Sequence, residues 1–163
     1  MTNKLIISIS LITLIVALSG DALAQGRTGS QSLPVNRLWF GKPSELDRIS
    51  HLVETGASEE AVEVAHSFAK SMQDGVYYYD ALNALCVAYS ANKQFSEAVV
   101  TCNEAIDLRP SRWVAYNSRG TAKFMNGNYE AAIEDYSQAL RYAPNNSTVK
   151  FNLSLARQRL QPE

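Results

Sequence analysis

A period of 34 residues constrains this chain more than any other feature of its sequence. Offset by that distance, residues 79–112 and 113–146 align Ala81 with Ala115, Asn83 with Asn117, Ala88 with Ala122 and Asn92 with Asn126. Ala98 then meets Ala132, Ala105 meets Ala139, and Pro110 meets Pro144. Ordinary composition gives about two such coincidences over a span of this size. Conservative pairs fall into the same register: Phe95 with Tyr129, Val99 with Ile133, Ile106 with Leu140. A chain with this period is made of units that cannot bury their apolar faces alone and must stack on one another.

Each unit reads as two helices. In the second, Trp113 to about Asn126 and Tyr129 to Tyr142 flank a tight Asn126-Gly127-Asn128 turn. Pro144 disfavours helical geometry at the residue before it and ends the unit. Tyr129, Ile133, Tyr136 and Leu140 stripe one face at helical spacing, and Gly120, Ala132 and Ala139 leave clearance for a close neighbour. Upstream, Ser44–Thr55 and Ser58–Met72 form a degenerate pair whose turn is shortened at Gly56. Downstream, Asn146–Leu160 reads as a lone helix that turns Phe151, Leu153 and Leu155 inward and Lys150, Arg157 and Arg159 to water. The expectation is an all-α solenoid of about 3.5 antiparallel helix pairs over residues 44–160, closed by a solvated helix. Its units would be 44–72, 79–112, 113–146 and the capping helix 147–160.

Tyr116, Gly120, Ala132, Tyr136, Ala139 and Pro144 resemble the tetratricopeptide repeat. Leu82, Leu85, Tyr89, Ala98, Ala105 and Pro110 carry the likeness through the preceding unit, while Arg119 and Lys123 stand where an apolar residue is usual. The resemblance implies a right-handed superhelix whose concave side, lined by the first helix of each unit, binds another polypeptide without catalysis. In this phase that lining comprises Asp80, Asn83, Val87, Ser90, Asn117, Thr121, Phe124, Phe151 and Leu155. Asn83 and Asn117 would hydrogen-bond an extended backbone, with Val87, Thr121 and Phe124 giving shallow apolar contact. The bland alternative is that the asparagines only solvate helix starts. Relatives that grip chaperone carboxylate tails carry Lys, Asn and Arg at positions held here by Asn83, Val87, Ser118, Thr148 and Asn152. That charged clamp is missing.

Cys86 and Cys102 lie on opposite helices of one hairpin, each eight residues from residue 94 in the turn, and so at the same height, about 12 Å up. Helix axes about 8–10 Å apart leave facing Cα atoms about 4–6 Å apart, within the about 4.4–6.8 Å that a disulfide spans. A Cys86–Cys102 disulfide is expected; the alternative is two small buried thiols.

At the N-terminus, Lys4, the apolar run Leu5–Leu18 and Ala22-Leu23-Ala24 have the three-part form of a secretory signal peptide over residues 1–24, with cleavage after Ala24. The run is shorter than the about 20 residues of a spanning helix, though an uncleaved anchor is the competing reading. A periplasmic or secreted location follows, with no stable membrane insertion after cleavage. Residues 25–43 read as a flexible linker ending near Trp39-Phe40, a pair that either tucks onto the first helix or docks on a partner. Docking into a second copy would make the chain a self-associating scaffold.

Catalytic and cofactor chemistry finds little purchase. A net charge of −1 gives no attraction to nucleic acid. Gly41-Lys42 lacks the rest of a phosphate loop, and His51 and His66 lack the close helical pairing of a zinc site. No serine sits in a nucleophile elbow. The reading is a non-catalytic module with no cofactor or metal, whose partner is another protein or peptide.

Overall fold

A computed structural model describes residues 44–161. Within them run seven helices: α1 (Ser44–Thr55), α2 (Ser58–Ser71), α3 (Tyr78–Ala91), α4 (Phe95–Leu108), α5 (Trp113–Met125), α6 (Tyr129–Tyr142) and α7 (Ser147–Leu160). The expected signal peptide, residues 1–24, and the linker, 25–43, with its Trp39-Phe40, lie outside the described residues.

The helices owe little to side-chain caps. Only the start of α7 shows one among those described, with Val149 N–H donating to Asn146 Oδ1 at 3.0 Å. Packing therefore supplies the stability that isolated helices of this length lack. Consecutive helices pack antiparallel, and the first helices of successive units lie side by side, α1 on α3, α3 on α5 and α5 against α7. The described residues form an all-α helical-repeat solenoid.

One turn chemistry recurs inside the pairs. Gln94 N–H reaches Tyr89 O at 2.9 Å, and Asn128 N–H reaches Lys123 O at 2.9 Å, one repeat later. Such a bond closes a helix through a residue in the left-handed region. Gly127 fills that position at φ +84°, but its counterpart is Lys93, at φ 62°. In the first pair Gly56 plays the part, at φ +82°.

Where α5 crosses α6, Gly120 makes room for Tyr136. A Cβ at residue 120 would come within 2.8 Å of the Tyr136 ring. Tyr136 is wholly buried, which at about 1.5–3 kcal/mol for a large apolar side chain makes it a principal anchor. One repeat upstream the same two places hold Cys86 and Cys102, joined as a disulfide with their Cα atoms 5.4 Å apart. Both sulfurs are sealed in, beside Ala98 and Ala122.

Two boundaries and one orientation depart from expectation. α2 ends at Ser71, with Met72 as its cap, and α7 begins at Ser147. Leu153 is buried and Leu155 half-buried, but Phe151 is 58 % exposed rather than turned inward. The stripe that packs α7 is Val149, Asn152, Leu153 and Ala156, and Phe151 falls on the opposite side of the helix.

Candidate functional site

The first helices of the units, α1, α3, α5 and α7, form the inner face of the stack. The residues expected to line it do not share one environment. Asp80, Asn83 and Val87 on α3 are half-buried, and Leu155 and exposed Phe151 stand on α7. Between them α5 is shut. Asn117 is wholly buried, and Thr121 and Phe124 nearly so; Ser90 is buried on α3. As surface contacts, Asn117, Thr121 and Phe124 therefore need correction.

Each of the three is used by the fold. Asn117 Oδ1 accepts from Asn152 Nδ2 at 2.9 Å across the α5–α7 seam. Thr121 donates to the Asn117 carbonyl at 3.0 Å and accepts from the Tyr136 hydroxyl at 3.2 Å. Phe124 packs on the Tyr129 ring, with centroids 5.3 Å apart. Periodicity puts these positions on the inner side, but it does not show how tightly α3, α5 and α7 close over them.

The seam holds a polar series that sequence reading missed. Moving the Asn117–Asn152 pair back one repeat gives Asn83 and Ser118, and back again Ile49 and Ala84. Asn83 Oδ1 and Ser118 Oγ are buried with no hydrogen-bond partner, as are Asn117 Nδ2 and Asn152 Oδ1. Serine is one bond too short to reproduce the downstream contact. An amide acceptor on Asn83 and an amide donor on Asn117 are thus left unmet one repeat apart. Such groups cost about 1–3 kcal/mol each while unpaired.

Away from the seam, polar side chains are well matched. Asp135, nearly buried, takes a two-pronged contact from Arg119 (3.0 and 2.6 Å) and one from Lys123 at 2.8 Å. Arg119 also donates to Asn103 at 2.6 Å, so one guanidinium ties α4, α5 and α6 together. The two cations that replace usual apolar residues have become an ionic clasp. Tyr79 receives the Ala115 N–H at 3.2 Å and lies under the Arg112 and Arg109 guanidinium groups, 4.6 and 5.5 Å from its ring centre. Burial pushes its hydroxyl up to about 12 from the ordinary 10.0, against the opposing Ala115 hydrogen bond. Burial raises the Tyr136 hydroxyl further still.

His51 and His66 are exposed on different helices, and no group of three or more His, Cys, Asp or Glu converges among the described residues. The five positions of the chaperone-tail clamp bring no cation, and two of them, Ser118 and Asn152, are buried. Among the described residues no helix is long and apolar enough to cross a membrane.

Comparison with known proteins places this geometry. Residues 113–146 match the family model described as "Tetratricopeptide repeat". The small glutamine-rich tetratricopeptide repeat-containing protein of Dictyostelium discoideum is 30% identical over 120 residues, covering 71% of this chain and 36% of that one. That protein and the DnaJ homolog subfamily C member 3 of Gallus gallus are longer, and the chain spans 36% and 24% of them. Among solved structures, the first such domain of human RPAP3 superposes with a TM-score of 0.61 at 28% identity, over 71% of this chain and 89% of that one. The second domain of the same human protein, solved with the HSP70 peptide SGPTIEEVD, gives 0.57 at 26% identity over 70% and 92%.

Proposed function

Because the chain belongs to the tetratricopeptide-repeat family, we propose that it is a non-catalytic module that binds a partner polypeptide along the inner face of its helix stack. The observation that carries this reading is the unmet acceptor of half-buried Asn83, flanked on α3 by half-buried Asp80 and Val87. An extended main chain offers the matching N–H group. Val87, half-buried one turn further along α3, gives apolar contact beside it. Asn83 is half-buried with its acceptor covered, so a partner must displace that cover, while Asn117 is wholly buried. The HSP70 peptide held by the RPAP3 domain supports a peptide as the partner's form. Its acidic tail is a poor match here, since the clamp positions carry no cation.

The setting we propose is the cell envelope or the exterior, as a periplasmic or secreted protein. Residues 1–24 support it through their signal-peptide form, and Cys86–Cys102 supports it because disulfides persist in oxidising compartments. Affinity capture from envelope extract tests both parts. An Asn83→Ala/Val87→Arg variant should lose its partners while a Val100→Asp variant, altered on an exposed site of α4, keeps them. Equal recovery with all three forms, or an uncleaved chain in the cytosol, would overturn the reading.

A further inference from the structure

Charge is sorted along this stack although the whole chain is nearly neutral. Residues 44–72, which make α1 and α2, carry Glu45, Asp47, Glu54, Glu59, Glu60 and Glu63 against Arg48 and Lys70. The next unit has a slight acidic excess, and 113–146 balances Glu130, Glu134 and Asp135 with Arg119, Lys123 and Arg141. α7 carries Lys150, Arg157 and Arg159 and no acid. All six carboxylates at one end and all three cations at the other are exposed.

The basic end also presents a bare packing face. In the 34-residue register, Lys150, Ser154 and Arg157 of α7 stand where α5 has Tyr116, Gly120 and Lys123. On α5 that side receives α6: Gly120 takes the Tyr136 ring, and Lys123 binds Asp135 at 2.8 Å. On α7 the same side is exposed, and among the described residues none of its three cations has a carboxylate partner. Ser154 keeps the small residue that permits close approach. Arg157 keeps the cation without its acid.

From this juxtaposition we infer that the α7 face is the docking surface for the acidic α1–α2 end of a second copy, giving head-to-tail association. The occupant must supply carboxylates where Asp135 would stand. The chain's own residues 1–43 do not qualify, since Lys4, Arg27, Arg37 and Lys42 against Asp21 make them basic, like α7. Its own α1–α2 pair sits at the far end of the stack, about 30 Å away with first helices spaced about 10 Å apart. The same pair on another molecule meets no such obstacle. Such a contact is heterologous and adds copies in line rather than closing a symmetric dimer. With charged rather than apolar side chains on the acidic end, it is weak and salt-sensitive.

Sedimentation of the purified chain, in the form the cell accumulates, tests this without any other partner. At about 20 mM salt the mass should rise with concentration between about 10 µM and about 0.5 mM, and at about 0.5 M salt it should stay monomeric. Lys150→Glu/Arg157→Glu should weaken association about tenfold or more, and mixing it with Glu54→Lys/Glu63→Lys should restore it. Helical circular dichroism in each variant establishes folding. A wild-type chain monomeric throughout at low salt, association unmoved by the reversals, or no recovery on mixing would overturn the inference. The Asn83 and Val87 test leaves these outcomes untouched, so the two readings fail separately.

Discussion

Asn152 donates its side-chain amide to Asn117 at 2.9 Å, while the corresponding pair one repeat upstream, Ser118 and Asn83, makes no bond. Both upstream groups are buried, so the missing contact is a local deficit rather than an exchange with water. Ser118→Asn should let the new amide reach Asn83 Oδ1 and raise stability by about 1 kcal/mol, read as a higher urea midpoint with unchanged slope. A lower midpoint would show that the seam is too tight for the longer side chain. The same variant should weaken partner capture if Asn83 is a binding group.

Gly120 and Tyr136 make a different demand. Gly120→Ala puts a methyl 2.8 Å from a ring that is sealed on all sides. The ring has nowhere to move, and overpacking of this kind costs about 1–3 kcal/mol. Thermal unfolding should occur several degrees lower.

Cys86 and Cys102 solve the same helix crossing with a covalent bond spanning 16 residues. Closing a loop of that size stabilises by about 3 kcal/mol, so full reduction should lower the melting temperature by about 10 °C. On the same sample the intact mass should rise by the two hydrogen atoms that reduction adds. Cys86→Ala/Cys102→Ala should melt near the reduced protein and ignore reductant.

Lys93 holds a left-handed backbone, φ 62°, at the place where the next repeat has Gly127. An L side chain there costs about 1–2 kcal/mol, partly offset by the lower entropy of its unfolded chain. Lys93→Gly should therefore stabilise by about 0.5–1 kcal/mol in equilibrium denaturation. Gly127→Lys should do the opposite.

Tyr79, raised to about 12 from 10.0, ties stability to alkaline pH. Above the ordinary value the unfolded chain sheds the phenolic proton while the folded chain keeps it. The folded state then binds more protons, so its stability is full below pH 10 and is lost as pH climbs toward the folded value. Tyr136 shifts the same way. The loss should approach about 1.4 kcal/mol per pH unit for each tyrosine. Tyr79→Phe should flatten the fall between about pH 10 and about pH 12 in urea titrations. An unchanged slope would mean that Tyr79 ionises in the folded chain without penalty.

Much of this architecture was legible residue by residue. Alanines 98, 105, 132 and 139 recur at a fixed period, and each is wholly buried where a second helix crosses. The height of Cys86 and Cys102 above their turn followed from helical rise alone. Binding residues were harder to read. Asn83 and Asn117 share a repeat position, yet one stays half-buried and the other is closed off by Asn152. That difference lies in a neighbour 35 positions away, which no local pattern encodes. Phe151 misled for another reason: its spacing from Val149, Asn152, Leu153 and Ala156 puts it on the far side of its own helix.

By itself, then, the sequence determined the units: helix lengths, turns, the small residues at each crossing and the covalent link within one hairpin. These depend on neighbours a few positions apart and on a repeat that copies them. Only the stacked structure decided which inner residues stay open, how Arg119 and Lys123 converge on Asp135, and which face of α7 is left bare. Those outcomes depend on how closely one unit settles on the next, a distance set by the side chains of both and written in neither alone.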